Sequence, residues 1–116
     1  MSTSQLTINL VEGSVAFQCN VETAQSIKEE LTQLILRLKA ASSTVGGGQR
    51  PERQESLEYQ HVGDIFLELF CNPNIWPSPF AAKVLITLRD ERIRLTTEAE
   101  LTQVIEDINQ YLDQNR

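Results

Sequence analysis

The sequence predicts an α+β fold: a two-layer sandwich whose mainly antiparallel four-stranded sheet, made of two β-hairpins, carries two or three helices on one face. Three observations predict it. Near each end of the chain a pair of segments alternates apolar and polar residues around a turn, each pair runs into a stretch with helical periodicity, and the two ends match one another at a nearly constant offset.

The first alternating pair spans about residues 5–19. Leu6, Ile8 and Leu10 alternate with Thr7 and Asn9, and Val15, Phe17 and Cys19 alternate with Ala16 and Gln18 beyond a turn at Glu12-Gly13. This is the pattern of a hairpin with one buried face. From Asn20 the period lengthens: Val21, Ala24, Ile27, Leu31, Leu34, Ile35 and Leu38 fall on one arc at helical spacing. Asn20 can cap that helix and Glu22 suits the positive end of its dipole, so a helix is expected over about 21–41. Residues 42–55 lose periodicity and apolar content around Gly46-Gly47-Gly48 and Pro51. They are expected as a mobile Gly-rich loop, because nothing there offsets the entropy of ordering.

Leu57 to Phe70 fits two periods. Val62, Ile65, Phe66, Leu69 and Phe70 share a helical arc opposite Asp64 and Glu68, whereas Ile65, Leu67 and Leu69 also alternate with Phe66, Glu68 and Phe70. The reading favours a helix, set at the sheet edge or beside the other helices. Pro73, Pro77 and Pro79 then impose a stiff loop over 72–80.

The second hairpin runs from Val84, Ile86 and Leu88 through a turn at 89–92, with Ile93 and Leu95 returning on the same face. Thr97 to Glu100 reads as a capping box. Leu101, Val104, Ile105, Ile108, Tyr111 and Leu112 follow on one arc, predicting a helix over about 98–114. Strand residues of the two hairpins correspond at an offset of 78 and helix residues at 77, a ββα pseudo-repeat. Such likeness also arises without duplication, since every hairpin followed by a helix needs the same pattern.

A chain of 116 residues suits one domain, expected to cover 1–116. Sixteen acidic against ten basic residues give a net charge of −6, which disfavours bulk attraction to nucleic acid or anionic lipid. No stretch is apolar enough to span a bilayer, and Met1 to Gln5 carry no signal-peptide pattern. Cys19 and Cys71 have no CxxC spacing and read as buried thiols of a cytoplasmic protein rather than a disulfide.

No short catalytic motif is present, and the sequence leans away from an enzyme; no cofactor or metal is expected. The leading expectation is a small acidic protein-interaction module, with a protein partner or a homo-oligomer as its mate. Its candidate anchors are Ile75, Trp76 and Phe80, large apolar groups on a loop that prolines hold stiff. The alternative is an enzyme or ligand-binding domain using His61, Asp64 and Cys71, grouped beneath the proline loop. A third reading is a nucleic-acid accessory protein contacting phosphates through Arg89, Arg92 and Arg94, with Arg92 and Arg94 both on the open sheet face. The absence of interleaved aromatic residues counts against it.

Overall fold

The structure is a computed structural model that describes residues 4–42 and 52–115. Its first hairpin pairs β1 (Ser4–Leu10) with β2 (Gly13–Cys19), placing Leu6 opposite Phe17 and Ile8 opposite Val15. The turn closes on Gly13, whose φ of 133° an L side chain resists. Helix α1 (Val21–Ser42) starts as expected: the Asn20 carboxamide oxygen accepts a 2.8 Å hydrogen bond from the Thr23 amide, and Ala24, Ile27, Leu31, Leu34 and Leu38 are buried along one side. Of the expected 42–55 loop, residues 43–51 lie outside the described residues, and 52–56 form no helix or strand.

Residues 57–70 are not helical. They form β3 (Leu57–Val62) and β4 (Phe66–Cys71), joined by Gly63-Asp64-Ile65, with Tyr59 opposite Leu69 and His61 opposite Leu67. Next come β5 (Lys83–Arg89) and β6 (Arg94–Glu100), and the four strands lie in the antiparallel order β3-β4-β5-β6. The two hairpins predicted near the ends therefore do not share a sheet; β1 and β2 form a separate two-stranded sheet. The arrangement follows from composition. The most apolar strands, β4 and β5, occupy the centre, whereas the outer strands β3 and β6 carry Glu58, Gln60, Thr96 and Glu98; β1 runs beside β6, where the Val11 amide donates to the Glu98 carbonyl at 3.5 Å.

Two expectations near the second hairpin also change. Ile93 belongs to the turn and is 69% exposed, while Leu95 pairs with Leu88. Thr97 to Glu100 extend β6 instead of capping a helix, because Thr97 and Ala99 fill inner positions opposite Ile86 and Val84. Helix α2 (Leu101–Asn115) starts directly after the strand, its Leu101 amide donating to the Ala82 carbonyl at 3.0 Å. The described residues thus contain two helices, and α+β with a four-stranded antiparallel sheet is the observed class.

One core joins these elements. Leu57, Leu67, Leu69, Val84, Ile86 and Ala99 line the inner face of the large sheet, and α1 and α2 pack against each other over it. Strand β1 lies along α2 and is tied to it by polar contacts: the Asp107 carboxylate accepts from the Asn9 amide at 2.7 Å and from the Asn9 side chain at 3.0 Å. Burying each such leucine or isoleucine contributes roughly 1.5–3 kcal/mol, so the common interior, not either hairpin alone, supplies the stability.

Candidate functional site

Alternation within the strands gives the large sheet a second face, and neither helix covers it. Register places Glu58, Phe70, Leu85 and Glu98 on one rung across β3 to β6. Gln60, Glu68, Thr87 and Thr96 form the next rung, and Val62, Phe66, Arg89 and Arg94 the last. Val62 is 79% exposed, and Phe70 and Leu85 are also exposed. Two apolar pairs, Val62–Phe66 and Phe70–Leu85, therefore stand at opposite ends of this face with the polar Gln60, Glu68, Thr87 and Thr96 rung between them.

The charges on this face are sorted by rung. Glu58 and Glu98 stand at one end, Arg89 and Arg94 at the other, and Arg89 is directly opposite Arg94 across the β5–β6 ladder. Like charges in that position repel. The Arg89 guanidinium also lies 4.4 Å from the Phe66 ring centroid, a cation–π arrangement. Between the ends, Glu68 accepts a 2.7 Å hydrogen bond from the Gln60 side chain, and the Thr87 and Thr96 hydroxyls are 3.4 Å apart.

The proline loop borders this face at its acidic end. Ile75 and Trp76 share a shallow cleft with Phe70, Lys83, Leu85 and Glu98. The three expected anchors occupy different environments: Ile75 is 66% and Phe80 85% exposed, whereas Trp76 is half-buried and packs on the core. Its indole N–H points at the Cys71 sulfur, while burial pushes that thiol up to about 11. The loop is held from below by Asn74, which donates to the Gln54 carbonyl at 2.7 Å and accepts from the Gln54 amide at 2.8 Å.

The residues of the enzymatic alternative do not converge. His61 pairs with Leu67, four positions before Cys71 on β4, which puts the imidazole strand position about 13 Å from the cysteine. His61 and Asp64 instead border a cleft with Cys19, Asn20 and Thr23 beside the first hairpin. Burial raises the Cys19 pKa, which disfavours the thiolate, and the thiol donates to the Asn20 carbonyl at 3.4 Å. Among the described residues no three His, Cys, Asp or Glu side chains gather to hold a metal ion.

The arginine cluster is also divided. Arg89 and Arg94 face outward from the sheet, but Arg92 lies in the turn and not on that face. Its amide, with that of Ile93, donates to the Asp90 carboxylate at 2.7 and 2.9 Å, and those bonds lower the Asp90 pKa. Phe66 and Phe70, read from sequence as members of a helix, do share a face with Arg89 and Arg94. Only the strand register could reveal that aromatic pair. Among the described residues no helix is long and apolar enough to cross a membrane. No protein-family model, curated protein or solved structure matches the chain.

Proposed function

We propose that this chain is a non-catalytic protein-interaction module whose contact surface is the uncovered face of the four-stranded sheet. The observation that carries the reading is the two apolar pairs, Val62–Phe66 and Phe70–Leu85, on a face that no helix among the described residues covers. Ile75 extends it on the adjoining loop, and Phe80 is a further exposed anchor on that loop. Regular strands hold the main part rigid, so docking orders little new backbone. Two buried free thiols suit a reducing compartment such as the cytoplasm.

The expected test is a pair of substitutions, Phe70→Asp and Leu85→Asp, followed by circular dichroism melting and by retrieval of the tagged chain from its native cells. Association is lost while the melt is unchanged, because both side chains face solvent. Retained association in both variants removes the sheet face from consideration.

Nucleic acid is the second reading that one observation favours, the Phe66–Arg89 stack on this face. The same face carries Glu58, Glu68 and Glu98 against Arg89 and Arg94, so it lacks the cationic excess that gathers phosphates. Titration with single-stranded RNA at low salt is expected to show no binding.

A further inference from the structure

We infer that the occupant of the open sheet face is a second copy of this chain, stacked on it about a two-fold axis. The inference rests on the protein-interaction reading and names its partner. The supporting observation is charge complementarity of the face with itself: Glu58 and Glu98 at one end of the strands with Phe70, Arg89 and Arg94 at the other with Phe66, and a polar rung between.

Two stacked copies can be related by an axis along the strands or by one across them. An axis along the strands lays β3 over β6 and brings Glu58 onto Glu98 of the second copy, two carboxylates with no cation between. An axis across the strands, through the Gln60, Glu68, Thr87 and Thr96 rung, lays each strand on its own counterpart with its direction reversed. Arg94 then meets Glu98, Phe66 meets Phe70, Arg89 lies over Leu85 and Glu58 over Val62, each pair occurring twice. Sheets stacked in this manner lie about 10 Å apart, which long side chains such as arginine and glutamate span. The repulsion between Arg89 and Arg94 within one copy is relieved by the incoming Glu98.

Near the axis Glu68 meets Glu68 of the second copy. Its carboxylate is already engaged by Gln60, which lowers the cost. Four strands with three outward rungs give a planar footprint of only about 400 Å² per copy, below the ~800 Å² of a standard interface. The dimer is therefore expected to be weak, with dissociation on the order of micromolar.

Sedimentation equilibrium of the full chain from about 10 to 200 µM tests it, at a range chosen for a weak interface. A monomer–dimer equilibrium is expected for the native sequence. Arg94→Glu and Glu98→Arg each weaken it by roughly tenfold or more, since symmetry applies every reversal twice, and combining them restores it. Both residues of the swap are exposed on β6, and circular dichroism melts of the variants check that they fold. A chain that stays monomeric throughout, a dimer that the single reversals leave intact, or a double variant without rescue overturns the inference.

A photo-crosslinking phenylalanine analogue at position 70, in native cells, separates this failure from failure of the interaction reading. A cross-link to a second copy supports the inference. A cross-link to a different protein overturns self-pairing and leaves the interaction face standing, whereas a cross-link to RNA, or none, overturns both.

Discussion

The Tyr111 hydroxyl donates a 2.7 Å hydrogen bond to the Cys19 carbonyl, joining the last helix to the end of the first hairpin across 92 positions of sequence. The same oxygen accepts from the Ser4 hydroxyl at 3.0 Å, so both strands of the small sheet are pinned at one point. Because Tyr111 and Cys19 are both buried, Tyr111→Phe leaves a carbonyl without its partner. We expect a loss of about 1–2 kcal/mol, read by urea denaturation as a lower midpoint at unchanged slope.

Asp107 makes the corresponding connection at the other end of β1. It is 5% exposed and accepts from the Asn9 amide, the Asn9 side chain and, at 2.9 Å, the Gln103 side chain. Asp107→Ala removes every acceptor and should cost about 2–3 kcal/mol. Asp107→Asn keeps one acceptor oxygen and should cost less. Equal losses in the two variants would show that these hydrogen bonds do not hold β1.

Gly13 tests the turn by which β1 and β2 meet. Its φ of 133° lies where a Cβ is resisted by the residue's own backbone, although nothing stands within 4 Å of the site. Gly13→Ala should therefore cost roughly 1–3 kcal/mol through backbone conformation alone. Gly13→Asn should recover little of that, since Asn tolerates the left-handed helical region and not this one. Thermal melting of both variants decides it.

How the sequence was legible follows from which faces are buried. The first hairpin, α1 and the apolar arc of α2 each have one buried side, and simple alternation or helical spacing identified them close to the observed bounds. The segment 57–70 misled for a physical reason: in β4, Leu67 and Leu69 face the core while Phe66 and Phe70 face outward, so apolar residues occur on both sides and period two is blurred. The outward pair that hid the strand is the same pair that makes the candidate face. Arg89 and Arg94 were visible as a basic cluster, but their aromatic neighbour belongs to another strand and only pairing register supplies it. His61 and Cys71 are ten positions apart, yet hairpin geometry sends them to opposite ends of the sheet.

The thiol of Cys71 gives a prediction in pH. Burial raises its pKa from 9.0 to about 11. The folded state thus holds the proton more tightly than the unfolded chain, so this contribution to stability is complete below pH 9 and disappears as pH rises towards 11. The stability difference between the native sequence and Cys71→Ala should accordingly shrink over that window. At pH 8 the native protein should resist thiol-modifying reagents until urea unfolds it. Prompt modification at pH 8 without denaturant would show Cys71 or Cys19 to be accessible.

Trp76 and its neighbours separate support from contact within one loop. Trp76 is half-buried against the core with its indole directed at Cys71, whereas Ile75 and Phe80 are largely in solvent. Trp76→Ala should cost about 2–4 kcal/mol, because the large ring leaves a gap over Cys71 that the proline-stiffened loop cannot collapse to fill. Ile75→Ser and Phe80→Ser should each change stability by less than about 0.5 kcal/mol. If the loop belongs to the contact surface, those two neutral variants weaken association while Trp76→Ala lowers the melting temperature first. Loss of association in Trp76→Ala is therefore uninformative about contact unless its fold is shown intact, and the exposed pair carries the decision. Should Ile75→Ser and Phe80→Ser bind as the native chain does, the loop is a cover for the core and the contact surface ends at Phe70 and Leu85.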